Sequence, residues 1–104
     1  MKLSIETQAR LRQFCMMWFS HTEKENQLFD RLYGDTPLTE TRERILLDRL
    51  KEIKANKDGM RTALFALYNA EILNAANDFI CILIRTPDGD TIKIKITKAE
   101  SFMF

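Results

Sequence analysis

The sequence predicts an α+β fold: three main helices, the first long or broken near residue 21, followed by a C-terminal antiparallel β-hairpin. Three observations carry this expectation. Apolar residues recur at helical spacing through most of the chain. Near the end, Thr91-Ile92-Lys93-Ile94-Lys95-Ile96-Thr97 alternates strictly between apolar and polar, the period of a half-buried strand. Before it, Thr86-Pro87-Asp88-Gly89-Asp90 combines a fixed φ, a side chain that bonds its own backbone and a residue free to take positive φ, which together make a turn. With 104 residues the chain is expected to form a single domain, 1–104. A hydrophobic share of 45% and a charged share of 30% are an ordinary globular mixture, and three Gly and two Pro leave little room for long loops.

The first helix is expected over about 4–33. Ser4 is a good N-cap, and Leu11, Phe14, Cys15, Trp18, Phe29, Leu32 and Tyr33 fall on one face, with Gly34 after the last of them. Its middle carries two capping-box patterns, beginning at Ser20 and at Thr22, and the apolar face there holds Thr22 and Glu25. Either the helix restarts near residue 21 or it continues with a polar waist; the phase match between Trp18 and Phe29 favours continuity. Thr36 as cap and Pro37 at the first helical position open a second helix over about 37–55, striped by Ile45, Leu46, Leu50 and Ile53. Asn56-Lys57-Asp58-Gly59 reads as punctuation. A third helix over about 59–77 is apolar around most of its circumference, the pattern of a central buried helix or an association surface.

The hairpin is expected over about 79–97, with a nearly continuous apolar run from Phe79 to Ile84 as its first strand and Lys93 and Lys95 facing water on its second. Thr97-Lys98-Ala99-Glu100 is a further capping box, ahead of an apolar tail within 98–104 that ends in Phe102, Met103 and Phe104.

Composition narrows function mostly by exclusion. Sixteen basic and 15 acidic residues give a net charge of +1, so the overall basic field of a nucleic-acid binder is absent, although a local patch is not. Cys15 and Cys81 sit in apolar runs and read as reduced core residues. The residues 1–6 hold an early acid and no apolar run, and no segment reaches the ~20 apolar residues that span a bilayer, so the expected location is cytoplasmic, without a membrane partner. No nucleotide-binding, metal-ligating or nucleophile motif occurs, which leads to the expectation of no enzyme, no cofactor and no metal. His21 beside Glu23 and Glu25 reads as an exposed residue near acids, and Glu25 lacks the second group that acid–base catalysis needs.

What remains is surplus apolar surface. Met16, Met17, Trp18 and Phe19 surround the first helix, and the tail places large rings near its end. Trp18, Phe19, Phe102 and Phe104 are therefore the candidate partner-binding residues, set against packing on the chain's own core. The expected function is a non-enzymatic protein-binding module, self-associating as a homodimer and acting as an adaptor, regulator or inhibitor of another macromolecule. The alternative is a nucleic-acid-binding protein using the basic face of the hairpin, with Arg85, Lys93, Lys95 and Lys98 on phosphates. The same lysines also serve to protect an exposed strand edge.

Overall fold

The computed structural model describes residues 3–102. Within them the order is α1 (Ile5–Leu32), α2 (Glu40–Tyr68), β1 (Ala70–Ala75), β2 (Phe79–Arg85), β3 (Thr91–Thr97) and α3 (Lys98–Ser101). The strands form one antiparallel sheet in the order β1-β2-β3. The fold is α+β with helices first, as expected, but two features differ from the sequence expectation: the expected second and third helices are one continuous helix that ends at Tyr68, and the sheet has three strands among the described residues.

Ser4 caps α1, its hydroxyl accepting from the Thr7 N–H at 3.1 Å. The helix runs unbroken past residue 21 because its polar waist has a partner. Lys57, on α2, donates to the Thr22 hydroxyl at 2.7 Å and pairs with the Glu25 carboxylate. At the end of α1 a Cβ on residue 34 would lie 2.5 Å from the Asp30 carbonyl oxygen, so the chain can leave the helix there only with glycine.

The start of α2 is later than Thr36-Pro37 suggests. Thr39 is the cap, its hydroxyl accepting from the Arg42 N–H at 3.2 Å. The expected stop at residues 56–59 does not occur. Leu46, Leu50, Ile53, Lys57, Met60 and Leu64 keep one helical stripe through it, and Gly59 faces open space, where it lowers helix propensity without interrupting the ladder. The helix ends at Asn69 in the left-handed region (φ 50°, ψ 44°), a conformation Asn tolerates.

Residues 70–75, expected as helix, form β1. Their local preference is overridden by pairing with β2, from Ala70 opposite Ile84 to Ala75 opposite Ile80, with a bulge between Ile72 and Asn74. The idea of a buried central helix over 59–77 fails for the same reason: the segment splits into a helix end and an edge strand, leaving Phe65 60% and Leu67 73% exposed.

The hairpin of β2 and β3 forms as the turn residues dictate. Gly89 takes φ 89° and the Thr86 N–H donates to the Asp90 carbonyl at 2.8 Å. Ile80, Ile82 and Ile84 pair with Ile96, Ile94 and Ile92 on one face, and Cys81, Leu83 and Arg85 pair with Lys95, Lys93 and Thr91 on the other. The Thr97 hydroxyl caps α3 by accepting from the Glu100 N–H at 3.2 Å.

Two apolar clusters result. Leu11, Cys15, Trp18, Phe19 and Leu64 pack with Ala70 and the inward isoleucines beneath the sheet. Leu28, Leu46 and Leu50 form a second, smaller cluster between the helices alone. Early α1 meets late α2 in the first and late α1 meets early α2 in the second, so the helices are antiparallel. At 28 and 29 residues each helix is about 42–44 Å long, against about 20–24 Å for these strands. The helical hairpin therefore projects well past the sheet, giving extents of 55 × 25 × 19 Å.

Candidate functional site

The expected partner-binding residues have separate fates. Trp18 and Phe19 are buried in the chain's own core. The Trp18 ring stacks on Phe14 at 6.2 Å, with the Lys57 ammonium 4.6 Å and the Arg61 guanidinium 5.1 Å from its centroid. Little of either ring is left for a partner to touch. Phe102 is exposed at the end of α3, and Phe104 lies outside the described residues.

The four cations proposed for phosphate binding do not form one strip. Arg85 pairs with Glu71 at 2.9 Å, and Lys98 lies on α3 with its ammonium 4.0 Å from Glu23 of α1. Lys95 sits 4.7 Å over the Phe79 ring. Lys93, beside Lys95 on the open face of β3, makes no ion pair with a described residue. Two of the four charges are thus already set against acids, which leaves Lys93 and Lys95 as the basic feature of this strand.

Beneath that strand is an open groove of about 500 Å³, between the first half of α1 and β3. Leu3 and Leu11 form one apolar wall and Ile92, Ile94 and Ile96 the other, with Gln8, Arg12 and Glu100 at the polar rim. Ile92 and Ile94 are only half-buried, because β3 is the last strand of the sheet and, among the described residues, no element covers its outer edge. The pairing of β3 with β2 is regular from Phe79 opposite Thr97 to Arg85 opposite Thr91, so β3 carries no bulge. The opposite edge, β1, is interrupted by its bulge, a common device against strand addition.

The sulfur groups divide by place. Cys15 is in the core, and burial pushes its thiol up to about 12, which removes the thiolate that reacts. Cys81, expected in the core, instead lies half-buried on the outer face of the sheet, because its register position opposite Lys95 puts it there. His21 borders a hollow with Lys24, Leu28 and Arg49 between the two helices. Its buried Nδ1 has no hydrogen-bond partner, and burial, then Lys24 and Lys57, hold its pKa below the usual value, with Glu25 acting the other way.

Among the described residues, no helix is long and apolar enough to cross a membrane. Comparison of the chain with protein families, with curated proteins and with solved structures gives no match. The groove under β3 is not legible in the sequence, since it depends on β3 being an edge and on α1 passing beneath it. The alternation Ile92, Ile94, Ile96 is the one signal that points there.

Proposed function

We propose that the chain is a non-enzymatic protein-binding module whose β3 edge takes up an extended segment of a partner protein, in the role of an adaptor, regulator or inhibitor. One observation carries this: a regular, unbulged edge strand stands over a groove that leaves Ile92 and Ile94 half-buried. Strand addition to such an edge draws affinity from main-chain hydrogen bonds and specificity from pockets for alternate side chains. The partner segment therefore alternates, with apolar residues turned into the groove and acidic residues turned toward Lys93 and Lys95.

Self-pairing of β3 is less favoured in the central register: a two-fold through Ile94 sets Lys93 opposite Lys95 of the other copy, and like charges directly opposite are destabilising. The proposed occupant of this edge is accordingly a segment of a different protein, and a homodimer is a separate expectation that light scattering tests.

The test uses two labelled peptides, one alternating Ile with Glu and one alternating Ile with Lys, titrated by fluorescence anisotropy, with amide exchange followed across β3. The expected result is binding of the Glu peptide with slowed exchange in β3, and reversal of the preference in the Lys93→Glu, Lys95→Glu double variant. Absence of binding by either peptide, or a preference the double variant does not change, overturns the proposal. Binding of a DNA or RNA oligonucleotide that this variant abolishes, without peptide binding, establishes the nucleic-acid reading instead.

A further inference from the structure

The second surface lies on the projecting half of the helical hairpin, away from the sheet. Lys24 and Arg31 stand two turns apart on α1, and Arg42 and Arg49 two turns apart on α2, so each pair is separated by about 10 Å along its helix. All four line neighbouring hollows of about 380, 140 and 440 Å³ that share Arg49, Arg31 and Arg42 and so run on as one groove. At about 100° per residue, Lys24, Leu28 and Arg31 fall on the side of α1 opposite Leu11, Cys15 and Phe19, which meet the sheet.

The floor between these cations is apolar. Leu28 is almost fully buried, Ile53 packs beside it, and Ile45 is 46% exposed along the α2 wall. None of the four cations makes an ion pair with a described residue, although Asp30 and Glu52 line the same hollows. Among the described residues, only two helices build this end of the molecule, and its buried cluster is Leu28, Leu46 and Leu50. On this side the exposed apolar surface belongs to α2, at Ile45, whereas the exposed apolar pair of α1 here, Phe29 and Tyr33, stacks on that helix's other side. Helical folds cover such a stripe by adding a third helix.

We propose that this groove binds an acidic amphipathic helix of a partner protein, completing a three-helix bundle over Ile45 and Ile53. The charges select that occupant. A helix laid in the groove with an apolar stripe inward carries flanking positions that recur every seven residues, the spacing of Lys24 with Arg31 and of Arg42 with Arg49. Acidic residues at those flanks meet all four cations, and the span from His21 to Arg31, about 15 Å, matches three turns. A nucleic-acid backbone would use the cations but not the apolar floor. A second copy of the same groove would set the cations against each other. This surface is separate from the β3 edge, and its occupancy does not depend on that of the edge.

The probe is a set of helical peptides with leucine at the inward heptad positions and either Glu or Lys at the flanks, titrated by anisotropy at low and high salt. The Glu-flanked peptides are expected to bind the full chain, more weakly as salt rises, and the Lys-flanked peptides not at all. Arg42→Glu with Arg49→Glu is expected to lower affinity at least tenfold, and Ile45→Asp to do the same, while Lys93→Glu with Lys95→Glu leaves it unchanged. Failure of every Glu-flanked peptide, or affinity unchanged by the groove variants, overturns the proposal. So does an oligonucleotide whose binding is lost in the arginine variant but kept in Ile45→Asp, or a dimer in light scattering that Ile45→Asp dissolves. Unaltered thermal melting of the variants separates loss of binding from loss of fold.

Discussion

Lys57 of α2 reaches across the helical hairpin to the carboxylate of Glu25 on α1, and both side chains are largely withdrawn from solvent, 15% and 13% exposed. The same ammonium donates to Thr22 and lies over the Trp18 ring. The pair thus ties the middles of the two helices together and accounts for two departures from local pattern at once: α1 crosses its polar waist and α2 crosses Asn56-Lys57-Asp58-Gly59.

Removing one partner leaves the other charge desolvated. Lys57→Ala is expected to destabilise the fold by about 3 kcal/mol, near the low end for breaking a buried pair. Glu25→Leu combined with Lys57→Met should recover most of that loss, because the desolvation disappears with the charges. Denaturant melts of the two single variants and the double variant measure the coupling. A double variant as unstable as Lys57→Ala would show that the loss comes from packing and not from charge.

Gly59 and Gly89 are expected to respond in opposite directions. Gly59→Ala stabilises by about 0.5–1 kcal/mol, since the position is helical and an added Cβ meets nothing within 4 Å. Gly89→Ala destabilises by about 1 kcal/mol or more, since φ 89° strains any L side chain even in open space. Thermal melts should place the parent chain between them; a lower melting temperature for Gly59→Ala would mean that the helix is interrupted there in solution.

His21 makes stability depend on pH. Its folded pKa lies below 6.5, chiefly through burial and then through Lys24 and Lys57, against the opposing Glu25. Arg49 and Glu52 of α2 line the same hollow. The unfolded chain therefore binds the proton more readily, so this contribution is complete above pH 6.5 and is lost as pH falls through the folded pKa. Melting temperatures measured from about pH 7.5 down to about 5 should fall more steeply for the parent chain than for His21→Gln. Parallel curves would place the imidazole in water.

The two thiols should react in sequence. In the folded chain a thiol reagent is expected to modify Cys81 alone, because Cys15 is buried with its thiol pushed up to about 12. In denaturant both should react. Modification of Cys15 at native conditions, followed by mass spectrometry of the labelled peptides, would mean that the core under the sheet opens readily.

Several elements were legible from neighbouring residues. Ser4 and Thr97 cap the helices that follow them, Thr86 to Asp90 form the turn, and Ile92, Ile94 and Ile96 share a face. Each rests on groups within a few positions of one another, where propensity, capping and side-chain period act directly. Strand β1 was not legible, because Ala70-Glu71-Ile72-Leu73-Asn74-Ala75 prefers a helix until β2 is available to pair with it.

The candidate surfaces divide in the same way. Residue types and their order were enough to place lysines outward on an alternating strand, whereas the cations of the helical hairpin drew no expectation from the sequence. Whether a given charge is free was settled by folding: Glu71 is brought to Arg85 between neighbouring strands and Glu23 of α1 to Lys98 of α3, while Lys24, Arg31, Arg42 and Arg49 line adjoining hollows. Trp18 and Phe19 likewise look available on an isolated helix and are covered once the sheet closes over α1. Local chemistry acts over one or two turns of chain, whereas burial and ion pairing are set by segments that meet only after the chain has returned on itself, as Lys57 meets Thr22 from 35 residues away.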